Sequence, residues 1–179
     1  GDFMKRTVVM SGVSGGAVGI GNYSALVANE DDPSRLREAI ERIGVSNVLS
    51  TELTYLMGWD MLREYAHFGN YRGKDRSYYS MQKHAKNVGM PLKDYNSYGF
   101  SEYWERTYDK RKRKYPLLIM NTTSVAGRQG VVATVRFSDS TFAGADNLTQ
   151  FYDNETGSNV TLTYYGAVST TNRFPLFSP

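Results

Sequence analysis

The pattern of apolar and polar positions predicts strands at three places along the chain. Thr7–Met10 is a short apolar run that leads into a glycine-rich turn, and a helix-compatible stretch follows to about Ala28. Leu117–Met120 and the β-branched run Val131–Phe137 are the other predicted strands, with a turn at Gly127–Gly130 between them. The chain therefore begins with a strand, a tight turn and a helix.

Helical spacing dominates the part of the chain between the first two strands. Asp32–Ser34 has the composition of a helix start, and apolar residues at helical spacing continue to Gly44, which predicts an amphipathic, peripheral helix. Four further segments are predicted to be helical: 45–66, 76–88, 101–114 and 161–172. Residues 68–75 and 142–157 lack this spacing and predict loops. Helices around at least three strands indicate the α/β class, with helices covering a parallel sheet.

Length and composition fit one globular domain. The chain has 179 residues, of which 40% are hydrophobic and 22% charged, and no apolar run approaches the roughly 20 residues that cross a bilayer. Charged residues, Lys5 and Arg6, come soon after Gly1–Phe3 in place of an apolar stretch, so we expect no signal peptide. The absence of cysteine excludes disulfides, thiolate metal sites and cysteine catalysis, and with only two histidines we expect no metal or cofactor. A chain without cysteine fits any compartment.

The basic residues are unevenly distributed, and Lys110–Lys114 is an uninterrupted basic run within a net charge of +3. Such a run can bind phosphate or an anionic membrane, and it can equally be the solvated end of a helix, where cations meet the negative end of the dipole. Nucleic-acid binders carry a basic face over a whole domain, so we expect no nucleic-acid partner. The fourteen tyrosines together with this run suit a peripheral membrane contact, although most tyrosines are expected to pack in the core.

Gly12–Gly16 has the G-x-S-x-G pattern of a nucleophile elbow. Glycines on both sides allow a sharp turn from strand to helix that a side chain would block, and the turn leaves Ser14 exposed. The backbone N–H of Gly15 would then point at a developing oxyanion near the positive end of the helix. Ser14 is thus the candidate nucleophile, and the alternative is a purely structural glycine turn.

The same glycines also fit the pattern of short-chain dehydrogenases, over Gly15–Gly21, with Asn121–Gly127 similar to their serine-bearing strand end. That family places a Tyr-x-x-x-Lys pair after the serine. Here Tyr79 and Lys83, a pair with this spacing, precede Ser124, and no lysine follows Lys114, so this nucleotide-binding alternative has its chemistry in the wrong order.

The base that would activate Ser14 is not evident from the sequence. His67 adjoins a glycine-containing segment and His84 lies in a polar helix, so we interpret both as surface or packing residues. A carboxylate is then the natural base. Four aspartates carry no surrounding signature, and we interpret each as a cap or loop residue: Asp60, Asp139, Asp146 and Asp153.

The strand followed by Ser11–Gly19 resembles the nucleophile segment of patatin-like phospholipases, which are serine lipid acyl hydrolases. Further segments resemble the larger bacterial branch of this family, in the same order along the chain: 48–60, Lys74–Arg76, Tyr115–Thr123 with Gly127–Arg128, Val168–Ser169, Asn172–Pro175 and Ser178–Pro179. The resemblance spans nearly the whole chain, and the elbow and the Arg-Phe-Pro segment are its most specific parts.

The resemblance implies a three-layer α/β/α sandwich that is incomplete in this chain. It implies a single patatin-like domain fragment over 1–179, with the elbow near 7–29, a helical insertion near 33–114 and strands near 117–137. It gives Ser14 the nucleophile role in a Ser-Asp dyad whose aspartate is expected beyond Pro179. The family also has a glycine-rich oxyanion loop before the elbow, and this loop is expected to lie outside this chain. Without the loop and the aspartate, the chain alone is expected to be inactive. Its expected partners are the lipid substrate and the rest of its parent protein.

The implied function is hydrolysis of lipid acyl esters, as by a phospholipase or lysophospholipase. The first strand is expected to be central, with Ser14 at its carboxyl end, where ligands collect in open α/β sheets. A second hypothesis is a non-catalytic lipid-surface or structural module in which Ser14 only shapes a turn.

Overall fold

The computed structural model describes residues 6–30, 32–46, 49–66, 76–89, 99–102, 104–105, 115–124, 126–149 and 162–172. The strands of this part are β1 (Val9–Val13), β2 (Leu117–Thr123), β3 (Gln129–Ala133) and β4 (Ala145–Asn147). Its helices are α1 (Gly15–Asn29), α2 (Pro33–Val45), α3 (Leu49–Thr54), α4 (Met61–Ala66), α5 (Arg76–Asn87) and α6 (Tyr164–Thr170), with a π-helical segment Tyr55–Asp60 between α3 and α4.

The strands form a mixed sheet in the order β1-β2-β3-β4, which confirms the α/β class. β1 and β2 are parallel and so are β3 and β4, whereas β2 and β3 are antiparallel. The expectation of a parallel sheet is therefore wrong at this pair. The connection between β2 and β3 is too short for a parallel crossover, and it closes as a hairpin through Gly127, whose φ is 79°.

β1 differs from its prediction in its bounds and in its place. It begins at Val9 and continues through Ser11 and Gly12, because parallel pairing with β2 extends to Val13. Within the described residues β1 lies at the edge of the sheet, so the expectation of a central strand is not met there. The side chains of Val9 and Val13 are exposed.

The two other predicted strands also differ in their bounds. β2 continues to Thr123, three residues beyond the predicted end at Met120, and β3 begins at Gln129, inside the predicted turn. β3 ends at Ala133, four residues before the predicted end at Phe137, because Thr134 turns inward and its Oγ1 accepts a 3.0 Å hydrogen bond from the backbone N–H of Leu118. β4 lies where a loop was expected. Its three residues carry no apolar alternation, and it forms a strand only through its pairing with β3.

The predicted helices are largely confirmed. The Asp32 side chain caps α2 by accepting a 2.9 Å hydrogen bond from the N–H of Ser34, and α2 is peripheral, with Ala39 buried and Ile40 exposed. Of the helix predicted over 45–66, Val45 is the last residue of α2 and Ser46 is extended, whereas 49–66 is helical with the π-helical segment inside it. The predicted loop 68–75 lies outside the described residues. Of the predicted helix 101–114, residues 101, 102, 104 and 105 are helical and the rest, with the basic run, lies outside them.

The core lies between the sheet and the helices α1, α5 and α6. α1 packs against β1 and β2, and α6 packs against α1, α5 and β2. The close approach of α6 to α1 depends on Gly21, where a Cβ would lie 2.7 Å from Cγ2 of Val168. The largest fully buried side chains share this region: Tyr164, Tyr165, Met81, Met120, Val132 and Val168. This packing fixes the end of α6 relative to the start of α1.

Candidate functional site

Ser14 forms the turn between β1 and α1 and has an unusual backbone conformation. Its φ is 49° and its ψ is −129°, and it is the only non-glycine residue with positive φ in the described part of the chain. For an L-residue this conformation costs about 1–3 kcal/mol and is typical of functional sites. Ser14 is exposed and lies at the carboxyl end of β1, which confirms the predicted position of the candidate nucleophile.

The two glycines that flank Ser14 in the motif have different roles. A Cβ on Gly12 would lie 2.7 Å from both the Cα and the N of Ala17, so a side chain there would collide with the backbone of α1. A Cβ on Gly16 would meet nothing within 4 Å. The expectation that glycines are needed on both sides is therefore correct for Gly12 and wrong for Gly16, because α1 leaves the turn with Gly16 facing open space.

Both peptide groups of Ser14 are hydrogen-bonded. Its N–H donates to Oγ1 of Thr171 over 2.6 Å, and its carbonyl oxygen accepts from the N–H of Val18 over 3.1 Å. The second contact belongs to the first turn of α1, whereas the first comes from a residue 157 positions away in sequence. Sequence reasoning did not single out Thr171. The sequence signal nearest to it is the expected resemblance given above, which covers Val168–Ser169 and Asn172–Pro175 on either side of Thr171.

Asn121 connects the elbow to the neighbouring strand. It pairs with Val13 in the parallel register, and its Nδ2 donates to Oγ of Ser11 over 2.7 Å and to the carbonyl oxygen of Gly12 over 3.2 Å. These contacts tie β2 to the strand that leads into Ser14.

The backbone N–H of Gly15 lies where an anion would be favoured. Gly15 is the first residue of α1, and amides in the first turn have no carbonyl partner within the helix. The first turn contains no acidic side chain. The positive end of the helix dipole is therefore not neutralised within the helix beside Ser14.

Neither of the described aspartates of the sequence analysis, Asp139 and Asp146, forms a hydrogen bond or ion pair with Ser14. Asp146 forms an ion pair with Arg128 and lies on β4. Three strand-to-strand spacings of about 4.8 Å separate β4 from β1, which places the two strands about 14 Å apart. Asp139 is exposed in the segment between β3 and β4. Asp153 and the side chain of Asp60 lie outside the described residues. Within the described part, no group of His, Asp or Glu residues is placed to hold a metal ion.

His84 packs against α1, away from Ser14. Its Nδ1 lies 2.9 Å from Nδ2 of Asn22, whose Oδ1 accepts a 2.8 Å hydrogen bond from the hydroxyl of Tyr165. Because an amide nitrogen only donates, Nδ1 accepts and the neutral ring carries its proton on Nε2. Burial, with a smaller effect of the Lys83 charge, lowers the pKa of His84 to about 4. Asn22 lies about 12 Å along α1 from Ser14, and His67 lies outside the described residues.

The residues of the dehydrogenase alternative have other roles in the structure. The backbone N–H of Ser124 donates to the carbonyl oxygen of Arg128 over 2.8 Å, which closes the hairpin between β2 and β3. The ring of Tyr79 stacks on Tyr55, with 4.4 Å between the ring centroids. Tyr79 therefore lies in the helical region around α5, and Ser124 lies in a turn.

No helix among the described residues is long and apolar enough to span a membrane. No protein-family model matches the chain, and no curated protein or solved structure matches it.

Proposed function

We propose that Ser14 is the nucleophile of a serine acyl hydrolase that cleaves acyl esters of lipids, in the manner of the patatin-like phospholipases. The backbone of Ser14 is the observation that carries this proposal. If the turn were only structural, glycine would adopt the same conformation without the cost that a Cβ imposes at positive φ. An exposed serine in this conformation therefore favours a chemical role over the structural module.

The proposed reaction begins at the hydroxyl of Ser14. An aspartate, proposed to follow Pro179, removes its proton as Oγ attacks the ester carbonyl carbon. The N–H of Gly15 contributes to stabilising the resulting oxyanion, together with donors from the rest of the protein. Collapse of the intermediate expels the alcohol, which takes the proton from the aspartate, and water then releases the acyl group by the reverse sequence.

The finer fold that accompanies this function is a three-layer α/β/α sandwich. The exposed side chains of Val9 and Val13 support it, because they lie on the same side of β1, opposite the buried Met10. A second layer would bury this apolar face, as the faces of parallel strands generally require.

A lipid surface is the proposed partner. Leu53, Met57, Met61 and Tyr65 recur every four residues along 49–66, and their exposed fractions run from 44% to 83%. Residues at this spacing lie along one side of a helical segment, and Leu62 adds a further exposed apolar side chain beside them. A lipid hydrolase has to reach substrate held in a membrane, and such a stripe is able to enter its interfacial region.

The test compares four proteins with a fluorophosphonate probe, a short-chain ester and a phospholipid. They are the full-length protein that carries this chain, its Ser14→Ala and Ser124→Ala variants, and residues 1–179 alone. We expect labelling and turnover in the full-length protein and in Ser124→Ala, and neither in Ser14→Ala. Without its base, the isolated segment should stay near background.

Undiminished turnover in Ser14→Ala would refute the assignment of the nucleophile. Rapid turnover by residues 1–179 alone would place the base inside this chain. Binding of a nicotinamide cofactor without probe labelling would favour the dehydrogenase alternative.

A further inference from the structure

We infer that Thr171 is the positioning residue that holds Ser14 in its reactive backbone conformation, an inference that rests on the proposed role of Ser14 as nucleophile. The hydroxyl oxygen of Thr171 accepts a 2.6 Å hydrogen bond from the backbone N–H of Ser14. Thr171 does not contribute to the chemistry directly. Its effect is on the direction in which the turn presents Oγ of Ser14.

The need for such a residue follows from the dihedral angles of Ser14. A non-glycine residue at φ 49° persists only where its surroundings over-determine that conformation. The N–H of Val18 holds the peptide group after Ser14, through its carbonyl oxygen, and Thr171 holds the peptide group before it, through its N–H. With both peptide groups held, rotation about the two backbone bonds of Ser14 is restricted, and the contact with Thr171 is the one that comes from outside the strand-turn-helix unit.

Thr171 is itself well anchored, because it caps the carboxyl end of α6. The hydroxyl of Tyr164 donates to the carbonyl oxygen of Gly21 over 2.8 Å, which fixes the start of α6 on α1. At the other end, Oγ1 of Thr122 donates to the carbonyl oxygen of Thr170 over 2.7 Å, which ties α6 to β2. Thr171 thus extends a rigid element that is fixed both to the sheet and to the helix that follows Ser14.

Loss of the Thr171 hydroxyl should therefore affect the chemical step more than substrate binding. A misplacement of about 1 Å in a reacting group can cost up to about 10²-fold in rate. We expect Thr171→Val to lower kcat and the rate of phosphonylation by roughly 10- to 100-fold, with KM little changed. Thr171→Ser keeps the acceptor oxygen and should restore most of the rate.

The experiment uses the full-length protein with Thr171→Val, Thr171→Ser and Thr170→Val. Thr170→Val is the matched control, because Oγ1 of Thr170 donates to the carbonyl oxygen of Ala167 inside α6 and makes no contact with the turn that the structure records. Amide hydrogen exchange at Ser14, measured site by site, reports the contact. The rates of fluorophosphonate labelling and of ester hydrolysis report its role.

We expect faster exchange at Ser14 and slower labelling in Thr171→Val alone, at unchanged thermal stability relative to Thr170→Val. If Thr171→Val folds poorly, Thr171→Ala takes its place. Exchange at Ser14 that is equal in all variants, or fast labelling of Thr171→Val despite a freed amide, would overturn the positioning role while leaving the nucleophile in place. A wild-type protein that the probe does not label at Ser14 would overturn the proposed function, and the positioning role with it.

Discussion

Gly12 approaches Ala17 so closely that a Cβ on Gly12 would lie 2.7 Å from both the backbone nitrogen and the Cα of Ala17. This contact places the backbone near the carboxyl end of β1 against the first turn of α1. It allows the chain to reverse direction within a single residue, Ser14, and so it underlies the exposure of the candidate nucleophile.

Gly12→Ala should lower the free energy of unfolding by roughly 2–3 kcal/mol, because the atoms that the new methyl group would meet are backbone atoms that cannot rotate away. The matched control is Gly16→Ala, where a Cβ meets nothing within 4 Å and alanine favours the helix by up to about 1 kcal/mol. Urea unfolding of the two variants measures the difference. Equal losses of stability would contradict the packing of the turn.

Ser14→Gly should be more stable than Ser14→Ala by about 1 kcal/mol. Alanine keeps the Cβ that makes positive φ unfavourable, whereas glycine has none and relieves this strain. Part of the stabilisation is offset because glycine raises the conformational entropy of the unfolded chain. Ser14→Ala should match the wild type, since the hydroxyl is exposed. Thermal and urea unfolding measure this order, and a glycine variant that is less stable than the alanine variant would show that the turn stores no strain.

His84 should make stability depend on pH in acid. Its pKa is about 4 in the fold and about 6.5 in an unfolded chain, so only the unfolded state takes up a proton in between. The contribution of His84 to the free energy of unfolding should be constant above pH 6.5. It should fall by on the order of 3 kcal/mol between pH 6.5 and pH 4, in addition to the change from other groups. His84→Gln should remove this part, since glutamine keeps an acceptor for Asn22. Parallel stability curves for the two proteins would refute it.

Tyr165→Phe should cost more than Tyr164→Phe, although both side chains are almost fully buried. The first change leaves Oδ1 of the buried Asn22 without its donor, at about 1–3 kcal/mol. The second removes a donor from the carbonyl oxygen of Gly21, which still accepts the regular bond of its own helix, so about 0.5–1.5 kcal/mol is expected. Urea unfolding measures the free energy of unfolding of both variants. The reverse order would show that Oδ1 of Asn22 finds another hydrogen-bond donor in the folded Tyr165→Phe variant.

Vesicle binding should depend on the exposed apolar stripe and on the basic run separately. Met57→Glu combined with Leu62→Glu should weaken binding to anionic vesicles at any salt concentration, because it removes apolar area from the interface. Reversal of Lys110–Lys114 to glutamate should remove the salt-sensitive part. Ile40→Glu, on the exposed side of α2, is the control and should bind as the wild type does. If neither change alters the affinity for anionic vesicles, the lipid surface is excluded as the partner.

Much of the candidate site follows from the sequence because it depends on local contacts. The strand, the turn at Ser14 and the helix α1 are specified by an apolar run, by glycine at a position of close approach and by residues that favour a helix. The Asp32 cap of α2 is similarly local, since its hydrogen bond spans two positions. Ser14 could be singled out for these reasons before any tertiary contact was known.

The tertiary structure decided what depends on contacts between distant parts of the chain. β1 extends to Val13 because β2 pairs with it there, and β4 is a strand because β3 lies beside it, although neither bound is visible in the apolar pattern. The contact between Thr171 and Ser14 requires α6 to pack on α1, which the missing side chain of Gly21 permits. Periodicity and turn chemistry report neighbours within a few residues, whereas these contacts depend on the packing of the whole core.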